Sequence, residues 1–173
     1  MKFKLIYPRW EKLEGQTIFN LPPHGPVVMA ADLPDDVEVD FTDENVEALV
    51  IDDSPDFVGI SMMLTTQVRR GWEIAGQYRK LGKKVIFGGI STMLHAEETM
   101  QYADSVFLGE VEGRLSQVFK DFHDNNLKKV YNFMNKPPEM SLIGPARRDI
   151  LKKDLYYHKG FRMVDLFHAS RGC

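Results

Sequence analysis

The side chains of this 173-residue chain that could carry chemistry are five histidines, one cysteine and several carboxylates, and their spacing rules out more than it offers. His24, His95, His123, His158 and His168 share no metal-ligand spacing, and Cys173 has no second cysteine with which to hold zinc or close an internal disulfide. Glu110 and Glu112 have the right type for paired acid–base work. Their plainer role is to accept backbone or ligand hydrogen bonds at a helix start, where negative charge is favoured. No nucleophile, base and orienting group fall into a set. What remains is binding chemistry. Gly88-Gly89 follows a β-branched run, so the backbone there can approach a ligand closely or make a tight turn. Ser61, Thr65 and Thr66 offer hydroxyls, either to a ligand or to a helix cap. Between them Met62, Met63 and Leu64 form an apolar stretch suited either to a large flat apolar ligand or to core packing.

Elements that would position these residues follow from hydrophobic periodicity. Short β-branched runs alternate with longer amphipathic ones, the pattern of a parallel sheet with crossover helices. Strands are expected at Phe3–Tyr7, Val37–Thr42, Asp56–Ser61, Lys84–Phe87 and Ser105–Leu108. Helices are expected from Pro26 to Leu33, from Glu44 to Ile51 with Asp43 as cap, from Thr65 or Thr66 to Gly82, and from His95 to Tyr102. After residue 113, Leu115, Val118, Phe119 and Phe122 fall at i, i+3, i+4 and i+7, one apolar helix face. The fold class is therefore α/β: a doubly wound, flavodoxin-like or Rossmann-like five-stranded parallel sheet with helices on both faces and right-handed crossovers, plus a C-terminal linker extension. Residues 1–134 form the α/β domain, 135–160 a proline-bearing linker with a short helix at Asp149–Lys159, and 161–173 the start of something further, with a strand at Phe161–Ala169. In such a sheet ligands bind beyond the carboxyl ends of the strands. That places Pro8–Gln16 (with Trp10), Ser61–Thr66, Gly88–Thr92 (with Ile90) and Gly109–Gly113 around one edge.

Composition narrows the function. A net charge of −3 without a basic stripe argues against nucleic acid. No run approaches the length of a membrane span, no leader pattern opens the chain, and the cytoplasm is the default location. The dinucleotide and P-loop glycine signatures are absent. Strand ends at Tyr7-Pro8 and Ile60-Ser61 lack the acids of a phospho-receiver, and the loop after the first strand lacks the hydroxyls of a flavodoxin phosphate loop.

Four stretches together carry a resemblance: PPHGPVVMAA (22–31), VGISMMLTT (58–66), VIFGGISTMLHAEETMQYAD (85–104) and VFLGEVEG (106–113). In this order they resemble the N-terminal cobalamin-binding domain of cobalamin-dependent radical S-adenosylmethionine enzymes, and PARRDI (145–150) is similar to the linker that follows it. The resemblance implies a corrin over the carboxyl edge, with its nucleotide tail in a cleft edged by Ser61–Thr66 and Gly88–Thr92 and walled by Gly109–Gly113. FRMVDLFHASRGC (161–173) looks like the first barrel strand of the catalytic domain, with Cys173 as the first of three cysteines holding a 4Fe-4S cluster in a longer chain. That domain, the partner of this one, would bind S-adenosylmethionine and carry out methyl transfer or related radical chemistry; this module alone would bind but not catalyse. The D-x-H-x-x-G motif of many cobalamin proteins is absent, so the resemblance implies no histidine on cobalt and leaves Trp10 to face or cover the ring. The alternative is the same fold without cofactor, a scaffold for the catalytic barrel.

Overall fold

Residues 1–11, 21–139, 141 and 143–162 are described by the computed structural model. The β-branched and aromatic runs form strands β1 (Lys2–Tyr7), β2 (Glu38–Asp43), β3 (Phe57–Ser61), β4 (Lys84–Gly88) and β5 (Ser105–Leu108), joined by a short β6 (Val130–Asn132). All pair in parallel in the order β2-β1-β3-β4-β5-β6. Strand order reverses between β1 and β3, which makes their carboxyl ends the natural ligand edge.

Side chains alternate along each strand, so each face of the sheet has its own core. Phe3, Leu5, Tyr7, Phe57 and Phe107 meet α1 (His24–Ala30) and α5 (Leu115–His123) on one face. Ile6, Val58, Ile60, Val85 and Phe87 meet α2 (Val68–Lys80) on the other, beside the short helices α3 (Ile90–Leu94) and α4 (Ala96–Tyr102). Burial on both faces explains why the strands read as nearly continuous apolar runs. Aromatic rings fill the first face: Phe3 meets Phe119 edge-on at 5.0 Å, and Phe57 stacks on Phe122 at 4.3 Å. Gly59 makes room for this cluster, because a Cβ there would lie 2.3 Å from the Phe3 ring. Each buried phenylalanine contributes ~2–3 kcal/mol by transfer from water.

The residues between strands form helices largely where apolar periodicity places them. The first helix is shorter than expected, and α2 is preceded by one 3-10 turn at Thr65–Gln67. Residues 44–51, expected as a helix, make turns instead. Asp43 accepts hydrogen bonds from both the backbone and the side-chain amide of Asn45, and this local turn competes with helix formation. The sheet has six strands rather than five; β6 has three residues, only Tyr131 of which is buried, and this leaves little periodic signal. The β3–α2–β4 and β4–α4–β5 crossovers step across the sheet with their helices on one face. The β5–α5–β6 crossover steps the same way with its helix on the other, so it has the opposite, rarer hand. Its helix is held beside α1 by packing on β1 and β3, and β6 is appended to the sheet edge.

Residues beyond 143 turn back over the domain. The helix expected at 149–159 is instead two 3-10 turns, Arg148–Ile150 and Lys153–Leu155, and a small hairpin, β7 (Tyr157–His158) with β8 (Phe161–Arg162). Leu151 and Tyr156 are buried in the α1/α5 core. The expected strand at Phe161–Ala169 lies, after Arg162, outside the described residues, as does Cys173. No helix among the described residues is long and apolar enough to cross a membrane.

Helices α1 and α5 are joined by one side chain. Asp32, just after α1, accepts hydrogen bonds from the backbone N–H groups of Gly113, Arg114 and Leu115, satisfying the orphan donors at the start of α5. Asp32→Ala is expected to lower the unfolding free energy by ~1–2 kcal/mol, as for other lost helix caps. Urea denaturation checks this; an unchanged midpoint would show that α5 needs no cap from α1.

Candidate functional site

At the carboxyl edge the loops after β3 and β4 are locked together through main chain. Met62 N–H donates to the Gly88 carbonyl at 2.9 Å, and the Met62 carbonyl accepts from Ser91 N–H at 3.1 Å. Gly89 sits against this contact with φ of +92°, and a Cβ there would come within 2.3 Å of the Met62 carbonyl oxygen. The Met62 side chain points away from the edge, into the core beneath α2, where a Cβ on Gly71 would lie 2.6 Å from its sulfur. Thr92 closes the turn by donating its hydroxyl to the Gly88 carbonyl at 2.8 Å.

Gly88 is placed differently. Ser61 and Gly88 are register partners at the last step of β3 and β4. By strand alternation from Phe57 and Ile86 they lie on the α1/α5 face. A Cβ on Gly88 would meet nothing within 4 Å, and its φ lies outside the left-handed region. This glycine therefore faces open space, whereas Gly89 is required by the protein's own packing. The gap expected between the two loops is closed at Met62 and Gly89; the open space lies where a Gly88 side chain would stand.

Around this edge apolar side chains stand in solvent. Met63 is 62% exposed, Ile90 55% and Leu94 69%, with Leu64 at 39%. Thr65 and Thr66 are exposed in the turn that follows. Trp10 is half-buried at the end of β1, edge-on to Tyr7 at 6.1 Å between centroids. Glu110 is exposed, and its carbonyl accepts from the Arg114 guanidinium. Gly109 is packed like Gly89: with φ of +107° its Cβ would strike the main chain of Phe133 and Met134. Of the residues expected at the site after β3, β4 and β5, four are buried. Met62 lies in the core, Ser91 and Thr92 have no exposed surface, and Glu112 is buried at the start of α5, beside a small cavity with Val28 and Asp32.

Three residues at this edge escaped the sequence reading. Gln67 is fully buried, and its amide oxygen accepts from Met63 N–H (2.8 Å) and Leu64 N–H (2.9 Å) while its nitrogen donates to the Pro8 carbonyl at 2.5 Å. One signal could have found it: the inward stripe of α2, Gly71, Ala75 and Tyr78, extends back one turn to position 67. Asp43 is buried at the end of β2 and accepts from Asn45 and, at 3.2 Å, from the Tyr156 hydroxyl. Burial raises the Asp43 pKa above its ordinary 3.8, against the lowering effect of its hydrogen bonds. Burial, with Asp43 nearby, pushes Tyr7 up to about 12, and the same two causes raise Tyr156. Neither tyrosine is therefore an acid–base group at neutral pH. Among the described residues no group of three or more His, Cys, Asp or Glu side chains could hold a metal ion.

Exposed apolar side chains beside a side-chain-free strand end leave room for a large flat ligand, and comparison with known proteins names a ligand class. Residues 21–119, more than half of the chain, match the B12 binding domain family. The chain belongs to the B12-binding domain family. A curated relative, the bacteriochlorophyllide d C-8(2)-methyltransferase of Chlorobaculum tepidum, is 30% identical over 149 residues, which is 84% of this chain and 32% of that protein. The chain thus spans about a third of that relative's length. No solved structure matches the chain.

The residues present fit cobalamin, the cofactor of this family. Met63, Leu64, Ile90 and Leu94 offer apolar surface to a corrin, and Gly88 leaves the space that any larger residue would fill.

The two glycines should respond oppositely to substitution. Gly89→Ala is expected to lower unfolding free energy by more than ~2 kcal/mol, because it combines left-handed strain with a main-chain clash. Gly88→Ala is expected to change it by less than ~1 kcal/mol, apart from the small backbone-entropy gain. Equal losses by urea denaturation would contradict the distinction. Asp43 gives a pH test. Its folded pKa lies above the unfolded value, so its contribution is complete below 3.8 and is lost as pH rises through the folded value. Relative to Asp43→Asn, the native protein should lose stability as pH rises above that point. Parallel stability curves for the two proteins would show that Asp43 titrates normally.

Proposed function

We propose that this chain is the cobalamin-binding module of a radical S-adenosylmethionine enzyme, most simply a methyltransferase. The observation that carries the reading is Gly88, half-buried, with open space where a side chain would stand, and paired in register with Ser61 near exposed apolar side chains. Family membership supports the cofactor, and the printed activity of the Chlorobaculum relative supports methyl transfer. When bound, cobalamin would supply a cobalt-held methyl group for transfer, and the protein's part is to seat and orient it.

In this reading Met63, Leu64, Ile90 and Leu94 lie against the corrin and exclude water from its edge. The tail enters on the α1/α5 face past Ser61 and Gly88. Trp10, in the loop after β1, would cover the ring or face the cobalt. That loop holds no histidine in its sequence from Pro8 to Pro23, so it would offer cobalt no imidazole. A 4Fe-4S cluster, with Cys173 as one ligand, and S-adenosylmethionine belong to a catalytic domain in a longer, cytoplasmic chain. The module alone binds and does not catalyse, because one thiolate cannot hold a cluster.

The test is reconstitution with hydroxocobalamin followed by desalting and an absorption spectrum. The native sequence should keep its corrin bands. Gly88→Leu should lose at least about tenfold in affinity, equivalent to ~1.4 kcal/mol, with thermal unfolding unchanged. Complete washout from the native protein would favour a scaffold without cofactor. Equal retention by Gly88→Leu would move the tail away from this passage.

A further inference from the structure

Gln67 is a neutral, polar side chain with no exposed surface, set at the first turn after β3. Three of the four hydrogen-bonding positions of its amide are used. Its oxygen accepts from two consecutive backbone donors, Met63 and Leu64. One N–H donates to the Pro8 carbonyl. A primary amide offers two acceptor sites and two donors, so both acceptor sites and one donor are engaged.

These bonds join the two loops that flank the switch point of the sheet. Pro8 begins the loop that carries Trp10; Met63 and Leu64 are the exposed apolar residues after β3. The Pro8 carbonyl also accepts, at 3.4 Å, from Asn45, whose amide bonds Asp43. The Arg9 and Trp10 N–H groups are held in turn by Glu44 and Asn45. Without Gln67, nothing among these bonds fixes Met63 and Leu64 relative to Trp10.

We propose that Gln67 is the positioning residue of the cobalamin seat: it sets the apolar loop Met63-Leu64 and the Trp10 loop at a fixed separation, so that the corrin meets a preformed surface. The inference rests on the cobalamin reading above. Pre-organisation of this kind raises affinity because binding then orders fewer groups. Gln67 touches no reacting atom in this arrangement and is not a catalytic residue.

Two variants separate positioning from mere folding. Gln67→Met keeps the volume and removes all three bonds. Gln67→Glu keeps the acceptors for Met63 and Leu64 but, when ionised, sets an oxygen against the Pro8 carbonyl. Only the protonated acid restores that donor, and burial favours the protonated form. Hydroxocobalamin affinity is measured by equilibrium titration across pH, with thermal unfolding of each ligand-free protein as control. Gln67→Met should bind at least about tenfold more weakly at every pH while still unfolding cooperatively. Gln67→Glu should bind close to the native protein at acid pH and lose affinity as pH rises, with no matching descent in the native protein. A native protein that binds, with both variants equal to it at every pH, overturns the role of Gln67 alone. A native protein that fails to bind overturns the cobalamin reading and this inference with it.

Discussion

One main-chain contact organises the carboxyl edge of this sheet. Met62 exchanges hydrogen bonds with the β4 loop, donating to Gly88 and accepting from Ser91, and Gly89 lies too close to the Met62 carbonyl for any side chain. The contact buries the Met62 side chain under α2 and turns Met63 and Leu64 outward. It also fixes the path of β4, so that Gly88 ends the strand facing open space on the opposite side of the sheet. Exposed apolar side chains and a side-chain-free strand end thus follow from the same backbone geometry. In the proposed reading a corrin would cover these apolar side chains and remove them from water.

The polar groups beneath this edge include a neutral amide, Gln67, and a carboxyl, Asp43, whose pKa burial raises. Gln67 bonds loops from β1 and β3 without bringing in a charge. Asp43 accepts the Tyr156 hydroxyl and thereby ties the segment leaving the domain to the end of β2. Leu151 and Tyr156 sit in the same core as α1, and Lys152 pairs with Glu47, so this segment packs as part of the α/β layer. The carboxyl edge and the chain leaving the domain are therefore joined through Asp43, Asn45 and the Pro8 carbonyl.

Much of this was legible in the sequence. Strands β1, β3, β4 and β5 are buried on both faces, and their apolar runs leave little choice of element. Helix α5 declares itself by four apolar residues on one face. The turns at 44–51 and the 3-10 segments after 147 are not legible in the sequence, because short-range side-chain bonds and packing against a distant core decide them. At the site, the sequence itself shows a glycine pair, Gly88-Gly89, and an apolar stretch, Met62-Met63-Leu64, each at a strand end. Which glycine faces the protein and which faces space depends on the Met62 carbonyl, and no local pattern encodes that. Gln67, Asp43 and Tyr156 gain their roles from partners 59 and 113 residues away in sequence, beyond the reach of periodicity.

Backbone amide shift mapping during titration with hydroxocobalamin tests the placement of the cofactor most directly. Cobalamin seated on the carboxyl edge shifts the resonances of Ser61–Thr66 and Gly88–Leu94, and leaves those of Lys2, Phe57 and Lys84 at the amino ends of the strands unmoved. Shifts confined to the amino ends, or to the β7–β8 hairpin, would contradict that placement.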